Sequence, residues 1–312
     1  MARIVIALGG NALGNTPEEQ LEKVENAAKS IVGFVSQGHD VIIGHGNGPQ
    51  VGMINNAMEF SSKNGGKTPA MPFPECGAMS QGYIGYHLQN AIMRETRKQG
   101  INKDILTIIT QVVVSEDDKA FDNPTKPIGS FITEQEAKDI MAEHPELTYI
   151  DDAGRGWRRV VPSPLPIDIV EKNAILEAVE KDNIVIACGG GGIPVIKKGE
   201  GDYKGVPAVI DKDFACEKMA ELVDADMLFI LTAVDRVSIN YNTPRQQELT
   251  QMSVAEAEKY AAEGHFKPGS MLPKVVACNA FASSKPGRKA VIVSLEKATL
   301  AMSGESGTVI TL

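Results

Sequence analysis

The chain has little that would mark it as a secreted, membrane, metal-binding or nucleic-acid-binding protein. Its four cysteines, Cys76, Cys188, Cys216 and Cys278, form no Cys-x-x-Cys pair, and its five histidines show neither a His-Glu-x-x-His pattern nor another ligand spacing. A disulfide framework and a protein-bound structural metal are therefore not expected, and the thiols read as reduced and mostly buried. No apolar run approaches the roughly 20 residues of a membrane-spanning helix. The first residues lack the cationic and apolar regions of a secretory leader, so a cytoplasmic protein is expected. Basic residues are the scarcer charge, 31 Lys and Arg against 40 Asp and Glu, for a formal net charge of −9. Nucleic acid, which wants a clustered basic face, is not an expected partner. An anionic substrate must then be drawn by local charge. No Ser-His-Asp or Cys-His constellation for covalent catalysis is visible either.

What the chain does have is glycine where apolar runs stop. Gly9-Gly10-Asn11 follows Ile4–Leu8, Gly44-His45-Gly46-Asn47-Gly48 follows Val41–Ile43, and Gly189 to Gly192 follows Ile184–Ala187. Each reads as a strand ending in backbone stripped of side chains. Bare N–H groups of this kind form positively polarised nests that suit phosphate or carboxylate, above all at a helix N-terminus. In an open α/β sheet such turns gather along the carboxyl edge, where ligands bind. Two named motifs fail on inspection. Gly9-x-x-x-x-Gly14 has the P-loop spacing, but Asn15-Thr16 stands where the lysine should be. The dinucleotide fingerprint fails because Pro49 and Pro194 occupy the positions of its third glycine. A hydride-transferring enzyme is thereby disfavoured.

The length of 312 residues allows one large domain or two modest ones. A helix is announced by Thr16 as N-cap, Pro17 at the first helical position and Leu21, Val24, Ala27, Ala28 and Ile31 at helical spacing, ending near Gly38. The pattern predicts further helices near 50–60, 81–98, 170–181, 213–222, 254–262 and 272–284. It predicts strands at 40–44, 183–187, 227–232, 290–293 and 308–311. The β-branched run Ile105–Val114 reads as one doubly covered parallel strand. Strands alternate with helices throughout, the pattern of an α/β sandwich with helices on both faces. One stretch breaks the rhythm. Residues 115–166 hold six prolines and the only tryptophan, Trp157, too much for an ordinary connection. With a helical piece at Glu134–Glu143 behind Thr133, it is expected to be an inserted subdomain or lid.

With these motifs placed, the chain resembles the carbamate kinases of the amino acid kinase family over essentially its whole length. The resemblance rests on Ala7–Ala12, His45–Gly52, Pro124–Gly129, Asp152–Arg158, Cys188–Pro194, Val209–Asp213 and Gly269–Lys274. It implies a three-layer αβα sandwich with a mostly parallel open sheet, usually dimeric, whose N-terminal half binds the phosphate acceptor and whose C-terminal half binds the nucleotide. The implied reaction is reversible phosphoryl transfer between ATP and carbamate, with Mg²⁺ accompanying ATP or ADP. In arginine fermentation its direction is ATP formation from ADP and carbamoyl phosphate.

Phosphoryl transfer needs positioning and charge stabilisation more than covalent help. Carbamate is already an oxyanion nucleophile, so no base has to deprotonate it. Lysines are the expected tool. Lys212, between Asp211 and Asp213 at a predicted helix start, is either a solvated lysine or one aimed at phosphate; the resemblance implies the second. Lys274 and Lys126 have the same two readings, a surface or lid lysine against one that contacts nucleotide phosphates or the transferring group. Asp213 could orient lysines, help with Mg²⁺ or cap its own helix. The resemblance implies acceptor binding by Gly9, Gly10, Asn11, Gly46, Asn47 and Gly48, although turn formation explains Asn11 and Asn47 equally well. It implies nucleotide binding by Gly189, Gly190, Lys212, Tyr241, Met271 and Lys274, where Tyr241 reads otherwise as a β-edge aromatic. Arg155, Arg158 and Arg159 read as a solvated basic cluster. An acetylglutamate-type kinase and a non-catalytic sensor of the same fold are the competing readings, the second disfavoured by the three lysines together.

Overall fold

Alternate residues of the buried strands face two different cores. Val5, Ala7, Ile42, Val185, Leu228 and Ile230 belong to one, and Ile4, Ile6, Leu8, Ile43, Phe229 and Leu231 to the other. A strand whose two faces are both apolar must be covered on both sides, which is why these runs read as continuous hydrophobic stretches. The computed structural model describes residues 1–9, 13, 14, 16–152 and 154–312. Its main sheet has eight strands, in the spatial order Gln251–Ser253, Thr308–Thr311, Lys289–Ser294, Met227–Thr232, Arg3–Leu8, Asp40–His45, Ile184–Ile186 and Ile105–Thr107. All from Lys289–Ser294 to Ile105–Thr107 run parallel, and Thr308–Thr311 runs antiparallel to its inner neighbour. Helices Pro17–Ser36 and Phe73–Lys98 cover one face through Val24, Ile31, Ile84 and Leu88. Helices Lys212–Leu222 and Met271–Ser284 cover the other through Cys216, Met219, Val275 and Phe281. The architecture is a three-layer αβα sandwich.

Local signals placed several elements closely. Thr16 caps the first helix by accepting from the Glu19 amide, and Thr133 and Ser253 each form a capping box with the glutamate three residues on. The run Ile105–Val114, in contrast, is two strands and not one. Ile105–Thr107 ends the main sheet, and Gln111–Val114 joins a second sheet between Pro166–Ile169 and Ile193–Gly199. At the break, Gln81 of the helix Phe73–Lys98 accepts the Thr110 amide at 2.8 Å and donates at 3.1 Å to the Thr110 carbonyl, which also accepts the Ile193 amide at 2.8 Å. Satisfied by that side chain and by the second sheet, the buried Thr110 peptide leaves the main sheet without a desolvation penalty.

Strands Gln111–Val114 and Pro166–Ile169 are antiparallel neighbours, so the chain between them leaves and returns at one place. It carries its own sheet, Lys126–Ile132 paired with Trp157–Val161 and that with Thr148–Asp151, plus helix Glu134–Glu143. This unit leans on helix Gly48–Lys63 at Gly52 and Gly129, where a Cβ on Gly52 would sit 2.1 Å from the Gly129 Cα. Only glycine permits that approach. Among the described residues no helix is long and apolar enough to cross a membrane.

Candidate active site

The carboxyl ends of the parallel strands bring the glycine turns together. A Cβ on Gly190, which holds φ +68°, would fall 2.1 Å from the Asn47 amide nitrogen, and one on Gly189 would fall 2.5 Å from His45 Nε2. The second and third glycine turns thus interlock. Asn47 precedes helix Gly48–Lys63 without capping it; its Nδ2 donates instead to Ser80 Oγ at 2.8 Å. Gln50 Nε2 reaches back to the Gly14 carbonyl at 2.9 Å and ties the first loop to the same helix. Gly10 and Asn11, both expected at the acceptor, lie outside the described residues.

Beside these turns stand the lysines. Asp211 is the N-cap of helix Lys212–Leu222, accepting the Asp213 amide on Oδ1 at 2.9 Å, while its Oδ2 pairs with Lys126 Nζ at 2.5 Å. The capping role considered for Asp213 therefore belongs to Asp211. Asp213 spends its two oxygens on Lys212 at 2.7 Å and Lys274 at 2.8 Å, and its side chain is 2 % exposed. A carboxylate that deep is tolerable only because two ammonium groups meet it. Burial opposes the charge on Lys212, but the carboxylates of Asp213 and Asp211 outweigh it and hold its pKa above the ordinary lysine value. Lys274 goes the other way: burial, and then repulsion from Lys212, pull its pKa down against the pull of Asp213. Burial pushes Asp211 up, but Lys126 and Lys212 prevail and keep it well below the usual carboxylate range. His45, fully buried, is lowered to about 4 by desolvation against one hydrogen bond with the Gly46 carbonyl. It is neutral at pH 7.

Three clefts run along this edge. The first, about 270 Å³, is lined by Gly46, Asn47, Gly48, Gly190, Lys126, Asp211, Lys212, Asp213 and Lys274. The second, about 400 Å³, shares Lys212, Lys274, Gly269 and Ser270 with it and adds Gly9, Thr232 and Ala233. The third, about 530 Å³, holds Tyr241, Met271, Asp235 and His265, and Ser270 again. Ser270 lines all three. The clefts form one groove, with Lys212 and Lys274 where the first two overlap and Lys126 in the first alone.

The expected site residues divide along this groove. Lys126, Lys212, Lys274, Asp213, Gly46, Asn47 and Gly48 come together at its narrow end, Gly9 in the middle, Tyr241 and Met271 at the wide end. Tyr241 sits in a turn between the strands Val237–Ile239 and Gln247–Leu249, flanked by Asn240 and Asn242 at positive φ, and is not a strand residue. Gly190 lines the narrow cleft, and Gly189 packs under it against His45, so neither reaches the cleft of Tyr241. Sequence reasoning missed Ser270, and it misjudged Arg158. Arg155 is solvated, with its side chain 63 % exposed, but Arg158 is 15 % exposed and lines the narrow cleft. Arg159 turns to Asn55. The alternation of strand Trp157–Val161 is the signal that separates Arg158 from its neighbours. Among the described residues no group of three His, Cys, Asp or Glu side chains is placed to hold a metal ion.

A glycine-lined groove at the carboxyl edge of a parallel sheet, with half-buried lysines in it, is the site of an enzyme that handles anions. The comparisons agree. The amino acid kinase family model matches residues 2–294, and the chain belongs to that family. It is 52% identical over 308 residues to a carbamate kinase-like protein, YqeA, of Escherichia coli strain K12, covering 99% of this chain and 98% of that one. It is 53% identical over 311 residues to a carbamate kinase of Clostridium perfringens strain 13, covering 98% of each. Among solved structures, carbamate kinase from Giardia lamblia bound to AMP-PNP matches with a TM-score of 0.90 at 41% identity, over 99% of this chain and 98% of that one.

Proposed function

We propose that the protein is a phosphotransferase that moves a phosphoryl group reversibly between ATP and carbamate, ADP and carbamoyl phosphate being the other pair. The observation that carries this is the lysine and aspartate chain, Lys126–Asp211 and Lys212–Asp213–Lys274, which lines the narrow cleft and reaches the middle one through Lys212 and Lys274. Relatives named carbamate kinase at about half identity over the full length support it. Gly46, Asn47 and Gly48, with Gly9, Gly10 and Asn11, would hold the acceptor; Tyr241 and Met271 would face the adenine; Ser270 would lie along the phosphates between them. The N-terminal half then serves the acceptor and the C-terminal half the nucleotide.

In the reaction the transferring group sits between two other anions. Lys212 and Lys274, preorganised on Asp213, and Lys126 on Asp211 would neutralise the charge that develops on its oxygens, with no reorganisation at the moment of transfer. Carbamate needs no base, which suits a site whose nearby histidine is neutral and enclosed. Mg²⁺ would arrive with the nucleotide and supply charge neutralisation for its phosphates. Asp213, with an oxygen on each of two lysines, would orient them.

Residues 115–166 would act as a lid that brings Lys126 to the phosphoryl group. We also place the protein in the cytosol, where four buried free cysteines stay reduced, and expect a homodimer. The dimer is supported by the sheet edge at Ile105–Thr107, where Leu106, Ile109 and Tyr86 are exposed. The test of the function is ATP formation by purified protein from ADP and carbamoyl phosphate, with and without Mg²⁺. Turnover of an amino-acid acceptor in place of carbamate would overturn the assignment.

A further inference from the structure

We infer that Arg158 binds the acceptor, as the second cation that the inserted subdomain brings to the narrow cleft; the inference rests on the function proposed above. That cleft is lined by the cations Lys126, Arg158, Lys212 and Lys274. The three lysines have their carboxylate partners, Asp211 and Asp213, inside the same lining. Arg158 differs. Its partner is Asp152, at 3.2 Å from Nη1, and Asp152 does not line the cleft. Arg158 therefore lines the cleft while its own carboxylate partner lies outside the wall, unlike the partners of the three lysines.

The guanidinium is also aimed. Nε donates to the Gly129 carbonyl at 3.1 Å, and Nη1 donates to Asp152 Oδ2, so two edges of the planar group are fixed. Nη2 has no acceptor among the described residues, although the side chain is 15 % exposed and the ring of Phe131 lies 5.2 Å beneath it. An arginine held at two points and free at the third is preorganised for an oxyanion, since its fork matches carboxylate and phosphate oxygens as a lysine does not. Gly129 and Lys126 belong to one strand, so one element sets both cations. The ligand is an acceptor small enough for a cleft of about 270 Å³, carrying oxygens on a planar carboxylate-like or phosphoryl centre. Carbamate and carbamoyl phosphate both qualify.

The experiment compares Arg158→Gln and Arg158→Lys with Arg155→Gln in the complete enzyme. Arg155 is the other partner of Asp152, at 2.8 Å, and stays outside the cleft. Arg158→Gln should raise the KM for carbamoyl phosphate by roughly ten- to a hundredfold, the size expected when hydrogen bonds to a charged group are lost. The Kd for ADP, measured by calorimetry, should stay within about twofold, and Arg155→Gln should leave both constants near wild type. Arg158→Lys, which keeps the charge and loses the fork, should fall between and covers the case in which the glutamine variant does not fold. Equal effects of Arg155→Gln and Arg158→Gln would reduce the residue to a structural tie of the hairpin and overturn the inference. So would an unchanged KM with a lower kcat, or a Kd for ADP that rises in step with KM. A wild-type protein that makes no ATP from carbamoyl phosphate would instead sink the proposed function, a result independent of the variants.

Discussion

Lys126 and Asp211 are 85 residues apart in the chain, yet their side chains meet at 2.5 Å. One belongs to the inserted sheet and the other is the N-cap of helix Lys212–Leu222. The same carboxylate thus starts the helix that carries Lys212 and fastens the insert across the groove. A ligand phosphate that competes for Lys126 would compete with Asp211 for it, so binding and the position of the insert are coupled through this pair.

Lys212→Ala is expected to lower turnover by about 10²–10³, the usual cost of one preorganised charge in such a site. The fold should survive, because Asp213 keeps Lys274 as a partner at 2.8 Å. Steady-state kinetics and a thermal melt measure the two effects separately. Near-normal kinetics would return Lys212 to the role of a surface-type lysine.

Lys126→Ala should cut turnover strongly and leave ADP or ATP affinity almost unchanged, because Lys126 does not line the cleft of Tyr241. Trp157, paired with Ile132 of the Lys126 strand, should report ligand binding by its fluorescence. If nucleotide affinity collapses in the variant, or if Trp157 emission and protease sensitivity both ignore saturating ligand, the lid proposal is wrong.

The lowered pKa of Lys274, caused by burial and by Lys212, predicts an alkaline limb in kcat/KM. The sign is fixed: a depressed pKa means that the ammonium is lost at a pH below the ordinary lysine range, so activity declines there as pH rises. Lys274→Arg, which does not titrate in that range, should move the limb upward in a pH profile of kcat/KM. A limb that stays in place assigns the titration elsewhere.

Gly52→Ala should wedge the insert away from helix Gly48–Lys63, since the new methyl would overlap the Gly129 backbone at 2.1 and 2.2 Å. Overpacking of this kind costs about 1–3 kcal/mol. The variant should melt earlier and also turn over more slowly, because Lys126 and Arg158 are set by the displaced strand. Unchanged melting and kinetics would show that the two backbones can part freely.

The sequence by itself determined the layers and the kind of ligand. Strand ends stripped of side chains, caps such as Thr16 and Thr133, and the two-sided apolar runs are local requirements of backbone geometry and burial, and they are written where they act. The resemblance then named the lysines. What only the tertiary structure decided is who meets whom. Ile105–Val114 divides where Gln81, of the preceding helix, and Ile193 together satisfy the Thr110 peptide. Asp211, not Asp213, caps the helix, and Asp213 is left to bridge Lys212 and Lys274. Gly190 faces Asn47 and not Tyr241, and Arg158 parts company with Arg155 and Arg159. The Asp211 cap is local, but the Asp213–Lys274 and Gly190–Asn47 contacts join segments far apart in the chain. A charge shows its type in sequence, but its partner, burial and pKa come from neighbours that only folding supplies.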